Sequence, residues 1–122
     1  MRILLVDDEP DIRRIAEMSL GLEPGWQVTL ANSGAQAIEL AASHEPDVIL
    51  MDMMMPGMDG LTTLGKLREN PSLQDVPVIF MTAKVQRNEV ERYTTAGAKG
   101  VLHKPFDPMT LCQDIQRILD VQ

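Results

Sequence analysis

Five side chains in this sequence could do chemistry together: Asp7, Asp8, Asp52, Thr82 and Lys104. Each of the last three stands at the end of a short apolar run, and the first two follow another. Carboxylates brought within a few Å of one another in partly desolvated surroundings repel, so a site built from Asp7, Asp8 and Asp52 requires a cation or shared protons. All-oxygen ligands select a hard ion, and Mg²⁺, which takes few carboxylates and keeps several waters, suits such a set. A phosphoryl group carried on one carboxylate would need positive charge and a hydroxyl donor against its oxygens, which Lys104 and Thr82 would supply. Each residue alone has a plainer reading. Asp7 or Asp8 could cap a helix opening at Pro10, a threonine at a strand end is commonly structural, and a lysine is commonly a solvated charge. Asp52 resists the capping reading, because Met53 to Gly57 does not start a helix.

Whether these residues can meet depends on the elements that carry them. Apolar runs at Ile3 to Val6, Val28 to Leu30, Val48 to Met51, Val78 to Met81 and Gly100 to Leu102 read as strands. Most are continuous rather than alternating, as expected of a parallel sheet covered on both faces. Between them lie segments of helical pattern. Pro10 opens one with Ile12, Ile15 and Ala16 inward, ending near Gly21; Ser33 or Asn32 caps a second carrying Ala35, Ile38 and Ala42; Leu61, Leu64 and Leu67 mark a third. Residues 86–95 form a fourth with only Val90 and Tyr93 as an apolar face. Asp107 and Pro108 supply the N-cap and first-turn proline of a fifth, whose stripe is Leu111, Ile115, Ile118 and Leu119. Strand and helix alternate five times, which predicts an α/β, doubly wound, five-stranded parallel sheet between two helical layers. Ligands in such sheets bind outside the carboxyl ends of the strands, and that is the edge to which all five candidate residues are delivered.

Composition narrows the function classes. A chain of 122 residues with 44% hydrophobic content suits one core. A formal charge of -7 argues against direct binding of nucleic acid through a broad basic surface. No apolar stretch approaches a membrane span, and the lone Cys112 suits a reducing compartment, so a soluble cytoplasmic protein is expected. The methionines at 51, 53, 54 and 55 are read as packing residues, since thioethers favour soft ions. Trp26 is read as an anchor for the turn into the second strand, His44 as a solvated residue ending the second helix, and His103 as lying at a strand edge.

With these residues in view, the chain resembles a response-regulator receiver domain of bacterial two-component systems over essentially its whole length. The stretches that carry the likeness are ILLVDDEP at 3–10, PDVILMDMMMPGMDG at 46–60, PVIFMTAK at 77–84 and GAKGVLHKPF at 97–106. The resemblance implies residues 1–122 as one receiver domain with flavodoxin-like sheet order 2-1-3-4-5. It implies Asp52 as phosphoacceptor, Asp8 as a direct Mg²⁺ ligand, Asp7 as a ligand through water, and Met54 as the donor of a backbone carbonyl. Thr82 would donate its hydroxyl to the phosphoryl group and Lys104 would pair with it, the bond from Lys104 to Pro105 being cis. Pro56 and Gly57 would shape the loop after the phosphoacceptor, and Asp59 with Gly60 would start the third helix. The implied partners are a histidine kinase or phosphotransfer protein and a downstream protein, the implied state a monomer or weak phosphorylation-dependent dimer. The implied activity is a phosphorylation switch with weak autophosphatase chemistry rather than turnover of an outside substrate.

The likeness has departures. Many receivers carry Tyr or Phe in the fifth strand three residues before the lysine, where this chain has Val101, which has little swing to offer an inward movement of Thr82. Two positions that tune the lifetime of the phosphoryl group are Met54 and Lys84 here. Two other function classes fit part of the pattern. A Mg²⁺-dependent phosphohydrolase with an aspartyl-phosphate intermediate would use the same residue types, but the chain offers no insertion for a substrate cap. A receiver-like docking module that is never phosphorylated would share the fold. Met1 and an end just after the fifth helix favour a protein that works alone over one domain of a longer polypeptide.

Overall fold

Five apolar segments become the strands of one sheet because helices cover both of its faces, leaving backbone amides and carbonyls to pair with neighbouring strands. The computed structural model describes residues 1–121. In chain order they form β1 (Arg2–Val6), α1 (Pro10–Leu20), β2 (Gln27–Ala31), α2 (Gly34–His44), β3 (Val48–Asp52), α3 (Gly60–Arg68), a 3₁₀ turn (Pro71–Leu73), β4 (Val78–Thr82), α4 (Arg87–Thr95), β5 (Gly100–His103) and α5 (Leu111–Asp120). Every strand pair is parallel and the order is β2-β1-β3-β4-β5, as the resemblance implied. The neighbouring inner strands β3 and β4 are buried along their whole length.

Alternate residues of each strand feed two cores. Leu4, Val6, Ile49, Met51, Val78 and Phe80 pack with α2, α3 and Tyr93 of α4, whereas Ile3, Leu5, Val48, Leu50, Ile79 and Met81 pack with α1 and α5. Trp26 is half-buried against the second core, in keeping with an anchoring role before β2. Met51, Met53 and Met55 are core residues, but Met54 is 70% exposed. Cys112 is half-buried, while His44 and His103 are exposed.

Three helix assignments are corrected. In α1 the buried positions are Ala16, Ser19 and Leu20; Ile15, expected inward, is 42% exposed, because it lies a hundred degrees around the helix from Ala16. In α2 the buried stripe is Gly34, Ala37 and Ala41, with Ile38 half-buried and both Ala35 and Ala42 exposed. Gly34 sets that rotation: a Cβ there would stand 2.3 Å from Thr63 Oγ1 of α3, so the bare glycine is what lets the two helices approach. The last helix begins at Leu111, not at Pro108. Asp107 closes a local turn instead, its Oδ1 accepting the Met109 amide at 2.9 Å and its carbonyl the Thr110 amide at 3.1 Å. The expected stripe survives, with Leu111 and Ile115 buried and Ile118 and Leu119 half-buried.

One close contact fixes the floor beneath the candidate site. Asp59 caps α3 by accepting the Thr62 amide at 2.8 Å, and the Gly60 amide bonds the Met53 carbonyl at 2.9 Å. A Cβ on Gly60 would stand 2.7 Å from the Phe80 ring and 2.9 Å from the Asp52 carbonyl oxygen. Neither neighbour can retreat, one being core and the other backbone. Gly60→Ala is therefore expected to lower unfolding free energy by about 1–3 kcal/mol, the usual cost of overpacking, as measured by urea titration. An unchanged midpoint would show that the α3 entrance is free to shift.

Candidate functional site

The strand ladder continues past the strand ends and so fixes the residues that leave the sheet. The Asp7 amide bonds the Ala31 carbonyl at 3.1 Å, the Met53 amide bonds the Met81 carbonyl at 3.1 Å, and the Lys104 amide bonds the Thr82 carbonyl at 2.9 Å. Because all strands are parallel, these exits share one edge, and the ladder spaces them a strand's width apart. Carboxylate oxygens of Asp7, Asp8 and Asp52 lie within 4.8 Å of one another, Asp7 and Asp52 buried and Asp8 half-buried.

Lys104 is the cation set among them. Its Nζ donates to Asp7 Oδ2 at 2.8 Å and stands 3.4 Å from Asp52 Oδ2. Desolvation alone would lower the lysine's pKa, but the hydrogen bond and charge of Asp7, joined by Asp52, outweigh it and raise the value, so the ammonium is held charged. The peptide bond from Lys104 to Pro105 is cis. The other oxygens of the two buried acids take backbone donors: Asp7 Oδ1 accepts the Glu9 amide at 2.9 Å, and Asp52 Oδ1 accepts the Met54 amide at 3.3 Å. Three carboxylates against one ammonium leave two negative charges uncompensated, which is the deficit a divalent cation would fill.

The capping alternative for the acidic pair does not survive. The N-cap of α1 is Glu9, and among the described residues neither Asp7 nor Asp8 accepts a hydrogen bond from an α1 amide. Thr82 is buried, and its Oγ1 accepts the Lys84 amide at 3.0 Å. Asp52, Thr82 and Lys104 line a cleft of about 370 Å³ together with Glu9, Ile12, Met54, Ala83 and Pro105. All of the predicted side chains thus come to one edge, with Met54 at the mouth of the cleft. Sequence reasoning missed Arg13, whose guanidinium reaches back from α1 to the Asp7 carbonyl at 2.7 Å and steadies the β1 exit. Its i+6 spacing across a strand-to-helix turn has no periodic signal.

Electrostatics make Asp52 the strained member of the set. Burial and then the Asp7 charge raise its pKa from an ordinary 3.8 to about 6, against the lowering pull of Lys104 and of the Met54 amide. The folded state therefore binds this proton more tightly than the unfolded chain. The charge on Asp52 weakens the fold above about pH 6, and the penalty fades as pH falls from about 6 toward 3.8. In Mg²⁺-free buffer at pH 7.5, Asp52→Asn should be more stable than wild type by roughly 1–3 kcal/mol, with the difference shrinking through that window. Paired denaturant curves across pH would check it, and a gain independent of pH would contradict the electrostatic account.

Comparison with known proteins agrees with this geometry. The chain is 39% identical over 121 residues to the regulatory protein AtoC of Escherichia coli, covering 99% of this chain and 26% of that protein. It is 36% identical over 118 residues to the response regulator Rre1 of Synechocystis, covering 96% and 51%. The chain thus spans between about a quarter and a half of the length of such curated relatives. The Vibrio cholerae chemotaxis protein CheY4 superposes with a TM-score of 0.89 at 31% identity, over 96% of this chain and 97% of that one. The family model for the response regulator receiver domain matches residues 3–116, and on that match and these identities the chain belongs to the receiver-domain family of two-component signalling.

Proposed function

We propose that this chain, residues 1–122 as one domain, is a phosphorylation switch that accepts a phosphoryl group on Asp52. The observation that carries the reading is the convergence of three carboxylates, one ammonium and one hydroxyl at a single sheet edge, with two negative charges left over. A histidine kinase or phosphotransfer protein would present a phosphohistidine. An Asp52 oxygen would attack its phosphorus in line, forming a P–O bond as the P–N bond breaks and the electron pair returns to the imidazole. The Met54 amide on Asp52 Oδ1 leaves Oδ2, the oxygen nearer Lys104, as the one with a cation beside it for the incoming phosphoryl group.

The site chemistry fits Mg²⁺, an all-oxygen hard ion, held by Asp8, Asp52 and the Met54 carbonyl directly and by Asp7 through water. When bound it would neutralise charge on the phosphoryl oxygens during transfer. Lys104 would move its hydrogen bond toward the phosphoryl group, and Thr82, whose Oγ1 accepts the Lys84 amide, would donate its hydroxyl proton to a phosphoryl oxygen. Hydrolysis of the acyl phosphate would reset the domain as weak autophosphatase chemistry, and a downstream protein would read the difference between the two states.

Intact-mass spectrometry after incubation with acetyl phosphate tests the assignment. A phosphoryl adduct is expected on wild type with Mg²⁺, and none on Asp52→Asn or without the ion; an adduct that persists on Asp52→Asn would place the acceptor elsewhere. The metal assignment has its own check. Mg²⁺ should raise the melting temperature of wild type through ligand linkage and raise that of Asp8→Asn far less. Equal shifts would remove Asp8 from the ligand set.

A further inference from the structure

Asp7 leaves β1 with every polar group engaged. Its amide donates to the Ala31 carbonyl at 3.1 Å, its Oδ1 accepts the Glu9 amide at 2.9 Å, and its Oδ2 accepts Lys104 Nζ at 2.8 Å. The carbonyl is the group that the sheet leaves over. Among the described residues no backbone amide bonds it, and the donor it receives is the Arg13 guanidinium of α1, at 2.7 Å. Arg13 is half-buried, and a guanidinium on a carbonyl makes a charge-assisted bond, stronger than a neutral one.

Asp8, the next residue, has no such support. Its carboxylate is half-buried beside those of Asp7 and Asp52, and among the described residues it accepts no hydrogen bond. Three like charges within 4.8 Å repel, and Asp8, the least buried and least bonded of the three, is the one free to swing away. Its aim depends on the backbone that delivers it. The peptide between Asp7 and Asp8 is planar, so the direction of the Asp7 carbonyl sets the direction in which the Asp8 Cα leaves the strand.

We propose that Arg13 is a positioning residue for Asp8, its guanidinium clamping the Asp7–Asp8 peptide so that the Asp8 carboxylate is held facing Asp7 and Asp52. This rests on the reading of Asp8 as a Mg²⁺ ligand. Groups that orient a metal ligand without touching the metal commonly contribute about 10- to 100-fold to affinity. The effect has a sign that charge alone cannot imitate. A cation near the site repels a dication, so on electrostatics alone a neutral residue at position 13 would tighten Mg²⁺ binding. Loss of the clamp weakens it.

Isothermal titration of the unphosphorylated protein with Mg²⁺ separates the two. Arg13→Met keeps the aliphatic stem, removes the donor and should weaken binding about 10-fold. Arg13→Gln, shorter and also neutral, should do the same, so a folding failure of one variant leaves the other to decide. Arg13→Lys retains a donor and the charge and should recover most of the affinity. Arg14→Met removes the same charge from the exposed neighbour and should bind Mg²⁺ no more weakly than wild type. With acetyl phosphate, the half-saturating Mg²⁺ concentration for adduct formation on Arg13→Met should rise by about the same 10-fold while the rate at saturating Mg²⁺ holds. Mg²⁺ affinity in the neutral variants equal to or tighter than wild type overturns the positioning role and leaves the ligand reading standing. Wild-type affinity unchanged by Asp8→Asn overturns that reading and this one together.

Discussion

Two buried carboxylates sharing one lysine are the constraint on which this structure turns. Asp7 and Asp52 are each almost wholly removed from solvent, and Lys104 is the side-chain cation that contacts both. Removing charge from water costs several kcal/mol per ion even after relaxation, and a second like charge nearby adds to that. The fold keeps the arrangement because each acid also accepts a backbone amide, Glu9 for Asp7 and Met54 for Asp52. The compensation is incomplete, and the raised pKa of Asp52 measures the shortfall. A site so poised gains on binding a dication, and a covalent group placed on Asp52 would re-aim Lys104.

The rest of the chain serves to hold that unfavourable geometry. A parallel sheet with order β2-β1-β3-β4-β5 puts the β1 and β3 exits side by side, because those strands are neighbours, and sets β4 and β5 next in line. Amides beyond the strand ends extend the ladder, so the exits are rigid where loops would let the acids drift apart. Below them, the Gly60 contact with Phe80 and the Asp52 backbone ties β3 to the entrance of α3. Arg13 does the same for β1 from the other helical layer. The core stability of β3 and β4 thus offsets the electrostatic cost at their ends.

Much of this was legible in the sequence. Continuous apolar runs mark buried parallel strands, and polar residues at their ends mark the edge where chemistry gathers, so the sequence itself points to Asp7, Asp8, Asp52, Thr82 and Lys104. Helix faces were less legible for identifiable reasons. In α2, alanines at 35, 37, 41 and 42 spread around the helix, so periodicity does not choose between Ala35, Ala42 and the true stripe of Ala37 and Ala41; a glycine contact with α3 does. At Asp107 the sequence offered a cap followed by proline, and the side chain closed a turn one step earlier. Contacts such as Arg13 to the Asp7 carbonyl depend on side-chain reach across two elements, which no local pattern encodes.

The placement of aromatic volume separates what the family resemblance carries from what this chain does with it. The resemblance drew attention to β5, where Val101 stands in place of a ring, and suggested a muted response there. On the same sheet face a ring does stand against Phe80, supplied by α4. Packing demands that the volume over Phe80 be filled, but it does not dictate from which element. Filling it from α4 brings the Glu89 carboxylate to a buried phenol, on a largely polar helix whose only fully buried residue is Tyr93. A helix held to the core by one ring is easier to displace than a strand held on both sides by its ladder. Val101 on β5 and Tyr93 on α4 thus share the filling of one sheet face over Phe80.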